Sequence, residues 1–246
     1  MSEVVLRAEK ITQRFGGLTA VSKVDMQVEK NQIVGIIGPN GAGKTTFFNI
    51  ITGMYNPTEG KVLYREKDIT GLKPYKITDL GLARTFQNIR LFENMTALEN
   101  VIVGMHTRTK AGVIDAIFRT PRHRKEERVA EEKAEEYLRQ TGLYEHRYSL
   151  AKSLPYGLQR RLEIARAMAS QPEILLLDEP AAGMNEQETA DLMQFIHELQ
   201  EMGYTIILIE HDMKLVMNIC EHIYVLDHGE LIAHGGPEEI QSNRCV

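Results

Sequence analysis

Apolar and polar residues alternate along the first sixty or so residues of the chain, a pattern typical of half-buried β-strands. The clearest apolar positions are Val24, Met26 and Val28. At residues 33–37 a continuous apolar run, Ile-Val-Gly-Ile-Ile, suits a strand buried on both faces. Similar runs at residues 174–177 and 206–209 are separated by a helix-forming segment. Together they predict a parallel sheet with helices on both sides.

Between residues 88 and 156 the chain changes character, because charged residues and strong helix formers dominate. Residues 125–140 predict an amphipathic helix that ends at Gly142. Its expected apolar face consists of Val129, Ala130, Ala134, Tyr137 and Leu138. We therefore predict a single α/β domain whose core, residues 1–87 and 157–246, carries residues 88–156 as an inserted helical lobe.

The composition is that of an ordinary globular protein, with 43% apolar and 26% charged residues among 246. A net charge of −5 argues against nucleic acid as a partner. The chain has no apolar run near the roughly 18 residues that suggest a membrane span, and its acidic start does not suggest a secretory signal. The two cysteines, Cys220 and Cys245, lack metal-ligand spacing and are expected to be reduced thiols.

A glycine-rich segment, Gly-Pro-Asn-Gly-Ala-Gly-Lys-Thr, follows the first buried strand at residues 38–45 and fits the phosphate-binding pattern G-x4-G-K-[ST]. Its glycines let backbone N–H groups point at phosphate oxygens, and the following helix adds partial positive charge. We expect Lys44 to reach the outer phosphates of ATP and the Thr45 hydroxyl to bind Mg²⁺. The candidate nucleotide-binding residues here are Gly38, Pro39, Asn40, Gly41, Ala42, Gly43, Lys44, Thr45 and Thr46.

Two adjacent carboxylates, Asp178 and Glu179, end the apolar run at residues 174–177. The carboxyl ends of strands are where α/β sheets bind ligands. We expect Asp178 to hold the Mg²⁺ shell and Glu179 to polarise the attacking water. A second carboxylate that activates water indicates a hydrolase and argues against a kinase, which must exclude water.

The segment at residues 154–168 resembles the signature motif of ABC ATPases, L-S-G-G-Q followed by the helix Q-R-[VL]-x-[IL]-A-R-A. The signature positions are Leu154, Pro155, Tyr156, Gly157 and Leu158. Other motifs of the family match in order. The resemblance implies that Phe15 stacks on adenine, that Gln87 is the Q-loop glutamine and a metal ligand, and that His211 senses the γ-phosphate. Catalysis would then rest on Glu179, His211 and Gln87.

The resemblance covers essentially the whole chain and is closest to the LivG-type ATPases of branched-chain amino acid importers. It implies a RecA-like P-loop core with an N-terminal antiparallel β region, and ATP and Mg²⁺ at the site. It also implies two kinds of partner, transmembrane permease subunits and a second ABC ATPase subunit, at the cytoplasmic face of the inner membrane. The segment 87–99 would face the permease. Alternatives are an importer of urea or short amides, an exporter or lipopolysaccharide extractor, and a soluble ABC ATPase.

The signature departs from the family pattern, since it reads Leu-Pro-Tyr-Gly-Leu. Pro155 lacks the serine hydroxyl and a backbone N–H, and Leu158 cannot donate a hydrogen bond to a ribose. Because each signature would complete the partner's ATP site, we expect one strong and one weak site in a heterodimer.

Overall fold

The computed structural model describes residues 3–105 and 121–243, with only the backbone described for residues 121–127. The chain divides into two compact units. The first consists of Met1–Gln87 and Glu173–Val246, and the second is Asn88–Pro172.

The first unit contains two sheets. Its strands are β1 (Val4–Phe15), β2 (Leu18–Glu29), β3 (Ile33–Ile37), β4 (Glu59–Tyr64), β5 (Lys67–Asp68), β6 (Leu82–Arg84), β7 (Ile174–Asp178), β8 (Thr205–Ile209), β9 (His222–Asp227) and β10 (Glu230–Gly235). The α-helices within the described ranges, in order, are α1 (Lys44–Ile51), α2 (Pro74–Leu80), α3 (Ala97–Gly104), α4 (Pro121–Gln140), α5 (Tyr156–Met168), α6 (Glu186–Glu201), α7 (Met213–Ile219) and α8 (Pro237–Ser242). Helices α3, α4 and α5 belong to the second unit.

The smaller sheet is antiparallel, in the order β2-β1-β4-β5. Strand β2 alternates buried and exposed residues as its sequence predicts, with Val24, Met26 and Val28 buried. These side chains belong to the same apolar core as Phe47 and Phe48 of α1. The predicted N-terminal antiparallel region is therefore confirmed.

The larger sheet has the order β10-β9-β3-β8-β7-β6. All of its strand pairs are parallel except the edge pair formed by β9 and β10. Every residue of β3, β7 and β8 is buried, which explains their uninterrupted apolar sequences. Since parallel strands end at one edge of a sheet, the loops after β3, β6, β7 and β8 lie together at the carboxyl edge. The predicted α/β P-loop core is confirmed.

The second unit packs α3, α4 and α5 around one apolar core that includes Val101, Leu138, Leu162 and Ala165. Its division from the first unit falls at residue 172, later than the sequence-based boundary at 156. The reason is that α5 buries Leu162 and Ala165 in the core of the second unit. The apolar face of α5 is visible in its sequence, but the unit against which that face packs is not.

The prediction that Val129 belongs to the apolar face of α4 is wrong. Val129 is exposed, whereas Ala134 and Leu138 are fully buried. At about 100° per residue, Val129 lies roughly 140° around the helix from Ala134, and therefore points away from the core. Among the helices in the described ranges, none combines the length and apolar character needed to cross a membrane.

Candidate functional site

The glycine-rich loop between β3 and α1 has a shape that only glycine permits at two positions. Gly38 has φ 146°, and a Cβ there would lie 1.9 Å from the carbonyl oxygen of Leu226. Gly43 has φ 95°, and its Cβ would lie 2.4 Å from the carbonyl oxygen of Ala20. Helix α1 then begins at Lys44 without a side-chain cap. A curled backbone that leads into an uncapped helix start is suited to bind phosphate.

The Lys44 side chain folds back over this loop. Its ammonium group donates hydrogen bonds to the carbonyl oxygens of Gly38, at 2.6 Å, and Pro39, at 2.9 Å. Burial lowers the pKa of Lys44, and the nearby Glu179 carboxylate opposes that effect. The loop therefore wraps around the Lys44 side chain. The positive ammonium group of Lys44 lies where phosphate oxygens would bind.

Asp178 and Glu179 follow each other at the carboxyl end of β7 but have different surroundings. The Asp178 carboxylate is almost completely buried, whereas Glu179 is the first residue beyond the strand. Glu179 adopts a left-handed backbone conformation with φ 43°. Its N–H donates to the carbonyl oxygen of Ile209 on β8, at 3.0 Å. The turn thus separates the two carboxylates and aims Glu179 out of the sheet edge.

Gln87 and His211 both approach Glu179. The Gln87 amide nitrogen donates to Glu179 Oε2 at 2.7 Å. His211 Nδ1 lies 4.0 Å from the same oxygen, and the His211 side chain is 63% exposed. Three side chains from the loops after β6, β7 and β8 therefore meet, an arrangement able to orient a water molecule and contact a terminal phosphate.

Glu210 is a buried residue that sequence reasoning missed. Its carboxylate accepts hydrogen bonds from the backbone N–H groups of Ala181, at 2.9 Å, and His211, at 3.2 Å. Burial is the main cause that raises the pKa of Glu210, against the effect of these two bonds. Glu210 ties the loop after Glu179 to the loop that carries His211. The only sequence signal was its place directly after an apolar strand.

One cavity of about 670 Å³ lies against these groups. Among its lining residues are Gly38, Pro39, Asn40, Gln87, Glu179 and His211. The structure thus brings together residues that the sequence predicts from four separate segments. Phe15 ends β1 with a 43% exposed side chain, its ring edge-on to Tyr55 at 5.5 Å. The Phe15 side chain is therefore not buried in the core.

The signature residues lie in the second unit, at the start of α5. Pro155 is the N-cap residue and provides no side-chain cap, and Tyr156, the first helical residue, is 41% exposed. Leu154 is buried, and its carbonyl oxygen accepts a hydrogen bond from the Gln159 side chain at 2.8 Å. Leu158 packs against the apolar core of this unit. Its side chain therefore has a structural contact that a ribose-binding position would not need.

The residues present fit a magnesium ion. Thr45, Asp178 and Gln87 offer hydroxyl, carboxylate and amide oxygens, the ligands that Mg²⁺ prefers, and all three stand at the carboxyl edge. Magnesium commonly takes only one or two protein ligands beside substrate phosphates, so a few oxygens suffice.

Comparison with known proteins agrees with this geometry. Residues 21–182 match the family model of the ABC transporter. The branched-chain amino acid transport ATP-binding protein LivG of Escherichia coli is 48% identical over 247 residues, which cover 100% of this chain and 97% of that protein. BraF of Pseudomonas aeruginosa, named for the same transport, is 49% identical with the same coverage.

A nucleotide-free ATP-binding cassette from an ABC transporter has a similar solved structure, with a TM-score of 0.86 and 34% identity. The similarity covers 99% of this chain and 97% of that one. The family model, the full-length relatives and the shared fold lead to one conclusion. This chain belongs to the ABC transporter family, as one of its ATP-binding cassette ATPases.

Proposed function

We propose that this chain is the ATP-hydrolysing subunit of an importer of branched-chain amino acids. The observation that carries the proposal is the cavity at the sheet edge, where the phosphate-binding loop, Gln87, Glu179 and His211 meet. The names of full-length relatives near 48% identity support the choice of solute. The solute itself would be selected by other subunits of the transporter.

In the proposed reaction, the loop N–H groups and Lys44 bind the phosphates, and Phe15 stacks on the adenine. Glu179 accepts the hydrogen bond that orients the attacking water, and the 2.7 Å contact from Gln87 fixes the direction of its carboxylate. His211 reaches the γ-phosphate from the loop after β8. A magnesium ion held by Thr45, Asp178 and Gln87 would neutralise phosphate charge. Phosphoryl transfer to water needs chiefly such positioning and charge neutralisation.

The proposed partners are transmembrane permease subunits and a second ABC ATPase subunit, on the cytoplasmic side of the membrane. The segment 87–99 supports a docking role through two exposed apolar side chains, although its last apolar residues, Ala97 and Leu98, are buried. Phe92 is 46% and Met95 38% exposed, while Ile89 and Leu91 are partly buried. The signature residues at the start of α5 would complete the ATP site of the second ATPase subunit.

Two variants separate nucleotide binding from hydrolysis. Glu179→Gln keeps the size of the side chain but removes the base, so it should bind ATP and lose about 10²- to 10⁴-fold in hydrolysis rate. Lys44→Ala should lose ATP binding itself. Fluorescent-nucleotide titration and single-turnover hydrolysis measure the two effects. Hydrolysis by Glu179→Gln near the unmutated rate, or unchanged affinity of Lys44→Ala, would contradict the assignment.

The solute is tested by uptake. Cells that express the chain with its co-encoded permease and binding protein should accumulate labelled leucine, and the Glu179→Gln variant serves as the inactive control. Accumulation of labelled urea in place of leucine would assign the chain to the related amide importers.

A further inference from the structure

The side chain of Arg84 is buried at the end of β6 and contacts Asp178. Its Nη2 donates to Asp178 Oδ2 at 2.6 Å, and the two side chains are only 9% and 6% exposed. β6 is the edge strand beside β7, so the pair links two neighbouring strand ends. Among the described residues, this is the one ion pair of Asp178.

The same guanidinium also contacts the helix that begins at the phosphate-binding loop. Its Nη1 donates to Asn49 Oδ1 at 2.6 Å and to Thr52 Oγ1 at 3.1 Å. The central carbon of the group lies 5.4 Å from the ring centroid of Phe48 and 5.6 Å from that of Phe86. Arg84 therefore joins Asp178 to α1, whose first two residues are Lys44 and Thr45.

The arrangement is costly for stability alone. Arg84 Nε is buried and has no hydrogen-bond partner in the described part of the chain. A buried ion pair is often no more stable than apolar residues of similar volume, and an unsatisfied donor adds a penalty. A group retained under these conditions calls for an explanation beyond packing.

We infer that Arg84 is a positioning residue for the magnesium site. By binding Oδ2, Arg84 leaves Oδ1 of Asp178 as the oxygen directed to the metal shell. By binding Asn49 and Thr52, it sets the separation between that oxygen and the Thr45 hydroxyl at the start of α1. The residue neither touches the metal nor the phosphates. It fixes the two protein groups that do, as partners of metal ligands commonly do.

The inference rests on the proposed function, and its test includes a readout other than activity. The first measurement is the rise in melting temperature that saturating ATP produces with Mg²⁺, compared with ATP in EDTA. The second is the Mg²⁺ concentration that gives half-maximal ATPase activity at saturating ATP. Arg84→Gln should raise that concentration about tenfold, the lower end for loss of a partner of a metal ligand. Arg84→Lys, which keeps the charge but has no planar fork, should fall between Arg84→Gln and the unmutated chain.

Arg65→Gln is the matched control. Arg65 forms an ion pair with Glu173, with Nε 2.8 Å from Oε2, next to the opposite end of β7. The variant should leave the Mg²⁺ dependence unchanged. Should Arg84→Gln not fold, Asn49→Ala loosens the guanidinium while keeping its charge, and should raise the Mg²⁺ requirement about threefold, as a partial loss of the same support.

Three outcomes would count against these conclusions. If the Arg84 and Asn49 variants bind ATP in EDTA normally and need no more Mg²⁺ than the unmutated chain, Arg84 is purely structural and the inference fails alone. If Arg65→Gln shifts the requirement equally, the effect is general destabilisation, and the inference fails in the same way. If the unmutated chain binds ATP without any dependence on Mg²⁺, the metal assignment fails together with the role of Arg84.

Discussion

Pro155→Ser restores the family's usual signature residue and tests whether the departure at this position weakens ATP-driven dimerisation. Pro155 is the N-cap of α5, a helix of 13 residues, and it caps no backbone N–H with its side chain. A serine there accepts a hydrogen bond from the N–H two or three residues further on, and its own hydroxyl hydrogen stays available to a phosphate oxygen.

Three contributions follow from this geometry, two to the free energy of folding and one to the free energy of dimer closure. Relative to alanine, an N-cap serine stabilises a helix by about 1 kcal/mol. Loss of proline destabilises the fold by about 0.4–1 kcal/mol, because the unfolded chain gains conformational entropy. This cost is the same for the serine and the alanine variant. Pro155→Ala is therefore the matched control. A hydrogen bond to a charged phosphate adds about 1.5–3 kcal/mol, or about ten- to a hundredfold in dimer closure.

The assay is ATPase activity of the isolated chain as a function of protein concentration, with dimer formation by Glu179→Gln derivatives followed by light scattering. The protein concentration that gives half-maximal ATPase activity should be about tenfold or more lower for Pro155→Ser than for Pro155→Ala. Leu158→Gln is best kept out of the same variant, because Leu158 packs against the core of the second unit. Equal activity and equal dimerisation of the serine and alanine variants would refute the weakened-signature hypothesis.

Three further predictions concern other parts of the chain. Gly38→Ala should abolish ATP binding measured by titration, because its Cβ would overlap the carbonyl of Leu226 at 1.9 Å; normal affinity would contradict the loop geometry. Arg160→Met should lower the free energy of unfolding in urea by about 3–5 kcal/mol, since it breaks the buried pair with Glu163 at 2.8 Å, and the added change Glu163→Leu should recover most of the loss. Arg90→Glu should reduce co-purification with the permease subunits and leave the ATPase rate of the isolated chain unchanged; intact assembly would exclude the docking role.

Much of the first unit follows from short-range sequence features. Residues 33–37 form a buried strand because an uninterrupted apolar run bounded by glycine has few other solutions. The phosphate-binding loop follows from the spacing of Gly38, Gly43 and Lys44, which fixes its curvature. The carboxyl edge of the sheet then brings Glu179 and His211 together, because Glu179 is the first residue after β7 and His211 is the second residue after β8, and these two strands are parallel neighbours.

What the sequence did not disclose depends on tertiary neighbours. In the sequence, Arg84 is a charged residue shortly before Gln87 with no sign of a special role. Only the pairing of β6 with β7 in the structure shows that it binds Asp178. Leu158 looked like a lost polar contact, whereas the helical core gives it a packing role. The assignment of α5 to the second unit likewise depends on which neighbour covers its apolar face.

The left-handed backbone at Glu179 lowers the stability of the fold at the same position whose side chain the proposed hydrolysis requires. A non-glycine residue with φ 43° costs about 1–2 kcal/mol of conformational energy. Glycine would relax that turn, yet it would remove the Glu179 carboxylate, which lines the cavity beside Gln87 and His211. A laboratory selection for heat tolerance alone should therefore enrich Glu179→Gly, and the surviving proteins would be robust nucleotide binders that no longer turn over.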